Sequence, residues 1–67
     1  MQIKFGKEGL YYKFKDLHSL FAKYKIEYSL LTEKKDIIII NFKTIQDYDK
    51  AFNKICIIPI EHEKIEQ

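Results

Sequence analysis

The stretch Asp36-Ile37-Ile38-Ile39-Ile40-Asn41-Phe42 decides the fold of this 67-residue chain. Isoleucine is β-branched, and it fits the pleated, half-buried surface of a sheet better than a helix. The run is too short to cross a membrane, because a spanning helix needs about 20 apolar residues. It therefore predicts a β-strand with Ile38, Ile40 and Phe42 on one face, and with Ile37 and Ile39 on the other.

The chain before this strand predicts a β-hairpin followed by a helix. Gln2 to Phe5 and Leu10 to Lys15 alternate between apolar and polar residues, and Gly6 and Gly9 bound the turn between them. Asp16 is a helix N-cap residue, and the residues after it carry an apolar stripe at helical spacing up to about residue 25. That stripe consists of Leu17, Leu20, Phe21 and Tyr24. Residues 26–31 then predict a further strand.

The chain after the isoleucine strand predicts a second helix and a last strand. Thr44 and Asp47 form the capping pattern of a hydroxyl residue followed three positions later by an acid. The buried stripe of this helix is Ile45, Tyr48, Ala51, Phe52 and Ile55. The last strand runs from Cys56 to about Ile58, because Pro59 cannot donate to a ladder.

These elements predict a small α+β domain of the β-grasp, or ubiquitin-like, kind. The expected order is ββαββαβ with a mixed sheet over residues 1–60, followed by a charged C-terminal tail over residues 61–67. The alternative is a ferredoxin-like βαββαβ sandwich, which requires residues 6–14 to be a loop. The alternation from Leu10 to Lys15 favours the β-grasp.

The composition indicates a folded domain whose charge is unevenly distributed. Hydrophobic residues make up 46% of the chain, which is too many for a disordered segment. The net charge is +2, but residues 1–35 hold eight lysines against four acidic residues, and residues 36–67 hold four lysines against six acidic residues. All twelve cations are lysine, so no guanidinium can grip a phosphate or carboxylate through two hydrogen bonds.

The residues resemble a β-grasp family of protein-interaction modules, the Phox-and-Bem (PB-one) domains. The family opens with a strand of apolar-Lys-apolar form, matched by Ile3-Lys4-Phe5, and continues with a hairpin and a helix. Its acidic motif corresponds loosely to residues 30–36, where Leu30 stands in place of a tyrosine and lysines 34 and 35 in place of an acid and a glycine. The resemblance implies that a basic face on one domain docks an acidic face on another.

That resemblance assigns two candidate partner-binding faces. The basic face is centred on Lys4, with Lys13 and Lys15 in support, and all three would point away from the helices because their apolar neighbours point inwards. The alternative is that they are ordinary solvated lysines. The weaker acidic face comprises Glu33, Asp36, Asp47 and Asp49. The leading functional hypothesis is therefore a protein–protein interaction module that docks an acidic partner surface, with self-association as a further possibility.

Two other functional hypotheses rest on different residues. An exposed apolar patch of Ile37, Ile39 and Tyr11 would suit a small inhibitor or accessory protein that binds through the Ile37–Ile40 strand. If that strand lay at a sheet edge, it could also pair with another chain. Interleaved tyrosines and lysines in the first half are typical of single-stranded nucleic-acid binding. They are Tyr11, Lys13, Lys15, Tyr24 and Tyr28.

Catalytic and metal-binding constellations are not predicted. Cys56 lies in an apolar run and is expected to be a small buried hydrophobe. His18 and His62 lack metal-ligand spacing to Cys56 or to each other. We therefore expect no enzyme, no metal and no cofactor. The single cysteine and the lack of a signal-peptide pattern favour a cytoplasmic protein that does not associate with membranes.

Overall fold

The computed structural model describes residues 1–64. Within that part of the chain, no helix has the length and apolar character needed to span a bilayer. The elements in chain order are β1 (Gln2–Gly6), α1 (Lys7–Lys13), α2 (Leu17–Lys23), β2 (Tyr28–Glu33), β3 (Ile37–Phe42), α3 (Ile45–Ile55) and β4 (Glu61–Glu63).

The four strands form one sheet in the order β2-β3-β1-β4, and every neighbouring pair is antiparallel. The isoleucine strand β3 is thus central, between β2 and β1, and the predicted strand is confirmed. Ile3 lies opposite Ile40, and Lys4 lies opposite Ile39. Since opposed residues in an antiparallel pair share a face, β1 and β3 present their buried residues to the same side.

The hydrophobic core lies between that side of the sheet and the three helices. Burial alternates strictly along β3, with Ile38, Ile40 and Phe42 buried and the residues between them half-buried. The predicted division of this strand into two faces is therefore confirmed. The remaining core residues are Ile3, Phe5, Leu10, Leu17, Phe21, Ile26, Tyr48, Ala51 and Ile55.

A chain of aromatic contacts ties the helices to the sheet. The ring of Phe21 in α2 lies 5.3 Å from Tyr28 and 6.3 Å from Phe42, measured between centroids. Phe42 in turn meets Tyr48 of α3 edge to face at 6.1 Å. Such pairs stabilise by about 0.5–1.5 kcal/mol beyond the area that they bury. Two helices and two strands are thereby held in one arrangement.

The predicted hairpin is wrong, because residues 7–13 form a helix rather than a strand. Leu10 and Phe14 are four positions apart, so they fall on one side of a helix as well as on one face of a strand. The discriminating residue is Tyr12, which a strand would turn inwards and which is 92% exposed here. The place beside β1 that the second hairpin strand would take is occupied by β4.

The α+β class is confirmed, whereas the β-grasp topology is not. The sheet is entirely antiparallel rather than mixed. Its strand order and the single strand before the first helices are those of the alternative βαββαβ arrangement. That alternative was expected to need a loop over residues 6–14. Instead, the first helical segment is divided into α1 and α2.

The starts of α2 and α3 were predicted correctly and the last strand was not. The carboxylate of Asp16 accepts from the N–H groups of His18 and Ser19, and the hydroxyl of Thr44 accepts from the N–H of Asp47. The segment predicted as a strand from Cys56 to Ile58 has no strand structure, and β4 comes from the predicted tail. Residues 65–67 of that tail lie outside the described residues.

Candidate binding surface

The structure gathers four lysines around two aromatic side chains where α1, α2 and α3 meet. Lys13, Lys15 and Lys23 line a cleft of about 440 Å³ together with Phe14 and Tyr24. Lys54, near the end of α3, joins them because its ammonium lies 4.8 Å from the centroid of the Tyr24 ring. We call these four lysines the basic cluster. All four are exposed.

Lys13 is held in the cluster by the end of α3. Its ammonium donates a hydrogen bond of 2.9 Å to the carbonyl oxygen of Ile55, the last residue of that helix. The final carbonyls of a helix lack partners and carry the negative end of the macrodipole, so they attract a cation. The contact joins α1 to α3 and leaves the Lys13 ammonium on the surface.

Tyr24 organises the other side of the cluster. The ammonium of Lys23 lies 5.4 Å from its ring centroid, so Lys23 and Lys54 both approach the same ring. Each contact is a cation–π interaction of about 0.5–1 kcal/mol at an exposed site. The ring is half-buried and packs against the core, which holds the two charges in place.

No ion pair within residues 1–64 neutralises the basic cluster. The acid nearest in sequence is Asp16, which caps α2. Its carboxylate accepts 2.8 Å from the Ser19 hydroxyl and 3.0 Å from the His18 N–H. These hydrogen bonds, led by the one from the Ser19 hydroxyl, lower the pKa of Asp16 below its usual value. The ionised carboxylate lines the same cleft but is hydrogen-bonded to the helix start and forms no ion pair with a lysine in the described part of the chain, so the cleft carries three lysines against one acid.

The predicted basic face is divided between two sides of the molecule. Lys4 lies in β1 opposite Ile39, on the open face of the sheet, and forms an ion pair of 3.4 Å with Glu61. Lys13 lies in α1 and Lys15 in the connection to α2, on the helix side. The structure thus brings Lys13 and Lys15 together but separates them from Lys4.

The predicted acidic face is also divided. Asp36 precedes β3 and Asp47 follows it, and a six-residue strand spans roughly 20 Å. Asp47 is buried, accepting 2.8 Å from the Thr44 hydroxyl and 3.2 Å from the N–H of Glu27. Asp49 pairs with Lys64 at 3.0 Å. These acids lie at separate places and do not form one surface.

Glu33 belongs to a contact between α1 and β2. Its carboxylate accepts from the Tyr11 hydroxyl and lies 3.7 Å from the Lys7 ammonium. The hydrogen bond lowers the pKa of Glu33 and raises that of Tyr11. Tyr11 packs against the core on the helix side, so it does not share a face with Ile37 and Ile39, the other two residues of the predicted apolar patch.

Ile37 and Ile39 lie on the open face of the sheet, where both are half-buried. Leu30 of the neighbouring strand is 57% exposed and shares this face, because it lies opposite Asn41 in the β2–β3 register. We call Leu30, Ile37 and Ile39 the apolar stripe. The β3 strand itself is central, so it offers no free edge for pairing with another chain.

Cys56 is exposed rather than buried, which corrects the prediction. It ends α3 in a left-handed conformation with φ 53°, and its thiol donates to the carbonyl oxygen of Asn53 at 2.7 Å. It lines an apolar cleft of about 350 Å³ with Phe52 and His62. Within residues 1–64, no three His, Cys, Asp or Glu side chains gather as metal ligands.

Lys23 and Lys54 were missed as candidate binding residues. Their sequence signal was limited to their positions on the polar sides of two helices. Lys23 directly precedes Tyr24, whereas helix packing alone brings Lys54 to the same ring. Tyr24 was interpreted as a core residue. Its ring does pack against the core, but it also contacts the ammonium groups of Lys23 and Lys54. Comparisons of this chain with protein-family models, with curated proteins and with solved structures give no match.

Proposed function

We propose that this domain is a small protein–protein interaction module that docks an acidic segment of a partner through the basic cluster. The single observation that carries the proposal is the convergence of four exposed lysines that have no carboxylate partner within residues 1–64. Like charges gathered in this way repel one another, and a bound carboxylate-rich segment would relieve that repulsion. The docking agrees in kind with the one that the PB-one resemblance implies and keeps Lys13 and Lys15, but it uses Lys23 and Lys54 in place of Lys4.

An acidic protein suits the cluster better than a nucleic acid does. Phe14 and Tyr24 are half-buried, and their rings already contact the ammonium groups of Lys13, Lys23 and Lys54. Stacking of nucleobases requires free aromatic faces. Lysine is also a flexible point charge that accommodates carboxylates in many geometries, whereas bidentate recognition of guanine or phosphate favours arginine.

The first prediction concerns the charge of the cluster. Lys54→Glu and Lys23→Glu are expected to weaken binding of a fluorescent glutamate-rich peptide by about tenfold or more, because each replaces an attraction with a repulsion. Raising the salt from about 0.05 M to about 0.5 M should weaken wild-type binding similarly, since exposed charges are screened. Fluorescence anisotropy titrations measure both effects.

Lys43→Glu is the matched control. It makes the same change of charge on an exposed lysine that precedes α3, whereas Lys54 lies near the other end of that 11-residue helix, roughly 15 Å away. Lys43→Glu should therefore lower the affinity for the peptide much less than Lys54→Glu does. Equal losses in Lys43→Glu and Lys54→Glu would mean diffuse charge attraction and would contradict the assigned site.

Lys4→Glu distinguishes the helix-side cluster from the open sheet face. Because Lys4 lies on the other side of the molecule, this variant should bind the peptide nearly as well as the wild type. A loss of peptide affinity in Lys4→Glu alone would mean that the binding site is on the open face of the sheet. Binding of a single-stranded oligonucleotide without binding of the peptide would replace the protein-binding proposal with nucleic-acid binding, and no binding of either would refute it.

A further inference from the structure

The two edges of the sheet differ in how well they are protected. The β4 edge is three residues long and carries Glu61 and Glu63 on its open face. The β2 edge is six residues long, Tyr28–Glu33, and contains neither lysine nor proline. Short strands, charges and prolines are what natural proteins place at edges to prevent pairing with other chains. The β2 edge has only Glu33 at its end and a register irregularity between Tyr28 and Leu30, so the stretch from Leu30 to Thr32 is left without such a device.

The outer row of β2 backbone groups is available for pairing. Within residues 1–64, β2 pairs only with β3, and it ends the strand order of the sheet. Leu30, in the middle of this strand, is 57% exposed on the open face. Half-buried Ile39 lies on the adjacent strand, opposite Thr32. The apolar stripe therefore extends to the unpaired edge.

We propose that β2 pairs antiparallel with β2 of a second copy of this chain, joining the two sheets into one. Side chains opposite one another in such a pair must share a face, and the proposed register, with Leu31 opposite Leu31 and Leu30 opposite Thr32 of the second copy, meets that condition. The apolar stripes of the two copies then meet on one continuous open face. A twofold axis relates the copies, as is usual for dimers.

Charge complementarity favours a second copy over another occupant. In the same register, continued past the ends of β2, Glu27 of one copy comes within reach of Lys35 of the other. Both side chains are exposed, and neither has an ion pair within residues 1–64. Because the strands are antiparallel, this pair of opposite charges forms at both ends of the interface. The edge is thus complementary to itself.

The first experiment measures dimerisation by sedimentation equilibrium over a range of concentrations, and it compares two variants in which an exposed apolar residue is replaced by lysine. Leu30→Lys places a charge at the edge and should weaken dimerisation by about tenfold or more. Ile58→Lys is the matched control, because Ile58 is 93% exposed and lies outside β2. It should leave dimerisation unchanged. Both positions are exposed, so both variants keep the fold, which circular dichroism verifies.

The second experiment exchanges the charges. Glu27→Lys and Lys35→Glu should each weaken dimerisation severalfold, and the double variant should restore it because the opposite pair is re-formed in reverse. Amide hydrogen exchange of the wild type should also show β2 becoming protected as the concentration rises. Lys54→Glu should dimerise normally, because the proposed dimer does not use the basic cluster. Dimerisation and peptide binding are therefore tested independently.

The proposal is overturned by a wild type that stays monomeric up to about 1 mM, the concentration at which even a weak dimer is half formed. It is overturned equally by a dimer that Ile58→Lys dissociates and Leu30→Lys does not. A double charge exchange that fails to recover the loss of the single variants contradicts the register, and unchanged exchange in β2 on dimerisation contradicts the interface.

Discussion

The hydrogen bond between Tyr11 and Glu33 joins α1 to β2, and its formation shifts the pKa values of both side chains. The hydroxyl must keep its proton to donate, and the carboxyl accepts more strongly when it has lost its proton. The pKa of Tyr11 is therefore raised from 10.0, and that of Glu33 is lowered from 4.5. Each shift marks stability that depends on pH through linkage between protonation and folding.

The signs of the two shifts define the pH window in which this pair stabilises the fold. The lowered pKa of Glu33 adds stability that is present above pH 4.5 and is lost as the pH falls through the folded value. The raised pKa of Tyr11 adds stability that is present below pH 10.0 and is lost as the pH rises through the folded value. The contact between α1 and β2 thus contributes at neutral pH.

Replacing Tyr11 with phenylalanine tests this contact. Tyr11→Phe should raise the pKa of the Glu33 carboxyl towards 4.5, because the hydroxyl is the main cause of the shift, while Lys7 keeps a smaller part of it. Carbon-detected NMR titration of the Glu33 carboxyl measures the change. Tyr12→Phe is the control, since Tyr12 is 92% exposed. An equal pKa in wild type and Tyr11→Phe would contradict the hydrogen bond.

Among the elements, α1 shows where periodicity leaves a choice between helix and strand. A short segment with apolar residues at positions 10 and 14 satisfies both periods. The helix is only seven residues long and contains Gly9, so local propensity does not favour it. Burial of Leu10, which is 0% exposed, stabilises it instead, together with the contacts of Tyr11 and Lys13.

Replacing Gly9 with alanine should stabilise the protein if residues 7–13 are helical. Alanine in an exposed helix position is favoured over glycine by about 0.5–1 kcal/mol. A Cβ at this position meets no atom within 4 Å, so no clash offsets the gain. Urea unfolding followed by circular dichroism measures the difference. A loss of stability in Gly9→Ala would indicate a turn at this position, as the hairpin prediction has it.

For the whole molecule, the decisive feature is that the two ends of the described chain meet in the sheet. The first strand, β1, lies between β3 and β4, and the last strand completes the edge beside it. Tyr48 on α3 is linked to His62 on β4 by a hydrogen bond of 2.8 Å, and Lys4 is paired with Glu61. Residues predicted to be an independent tail therefore help to hold β1 and α3.

Ending the chain after Ile60 should consequently destabilise the protein. The shortened chain loses the pairing of β1 with β4 and the contact of His62 with Tyr48, which together correspond to about 2 kcal/mol or more at roughly 1 kcal/mol for each hydrogen bond. Chemical denaturation measures the loss. The full-length variant Glu63→Gln keeps the backbone pairing and should remain within about 0.5 kcal/mol of the wild type. Equal stability of the shortened and full chains would refute the role of β4.

The sequence by itself determined the isoleucine strand, its two faces and the starts of two helices. Four consecutive isoleucines exclude most alternatives to a strand, and Asp16 and Thr44 form their caps with residues two or three positions away. The apolar stripes of α2 and α3 follow from helical spacing in the same way, except that Phe52, predicted to be buried, is 37% exposed. These features depend on neighbours in the chain, and such interactions can be read without knowing the fold.

Only the tertiary structure decided the strand order, the helical state of residues 7–13 and the membership of the basic cluster. The strand beside β1 comes from residues more than fifty positions away, and no local pattern distinguishes it from a charged tail. Lys13, Lys23 and Lys54 meet because three helices pack on one face of the sheet. Long-range packing selects among local patterns that are individually ambiguous, and it places side chains from distant segments on one surface.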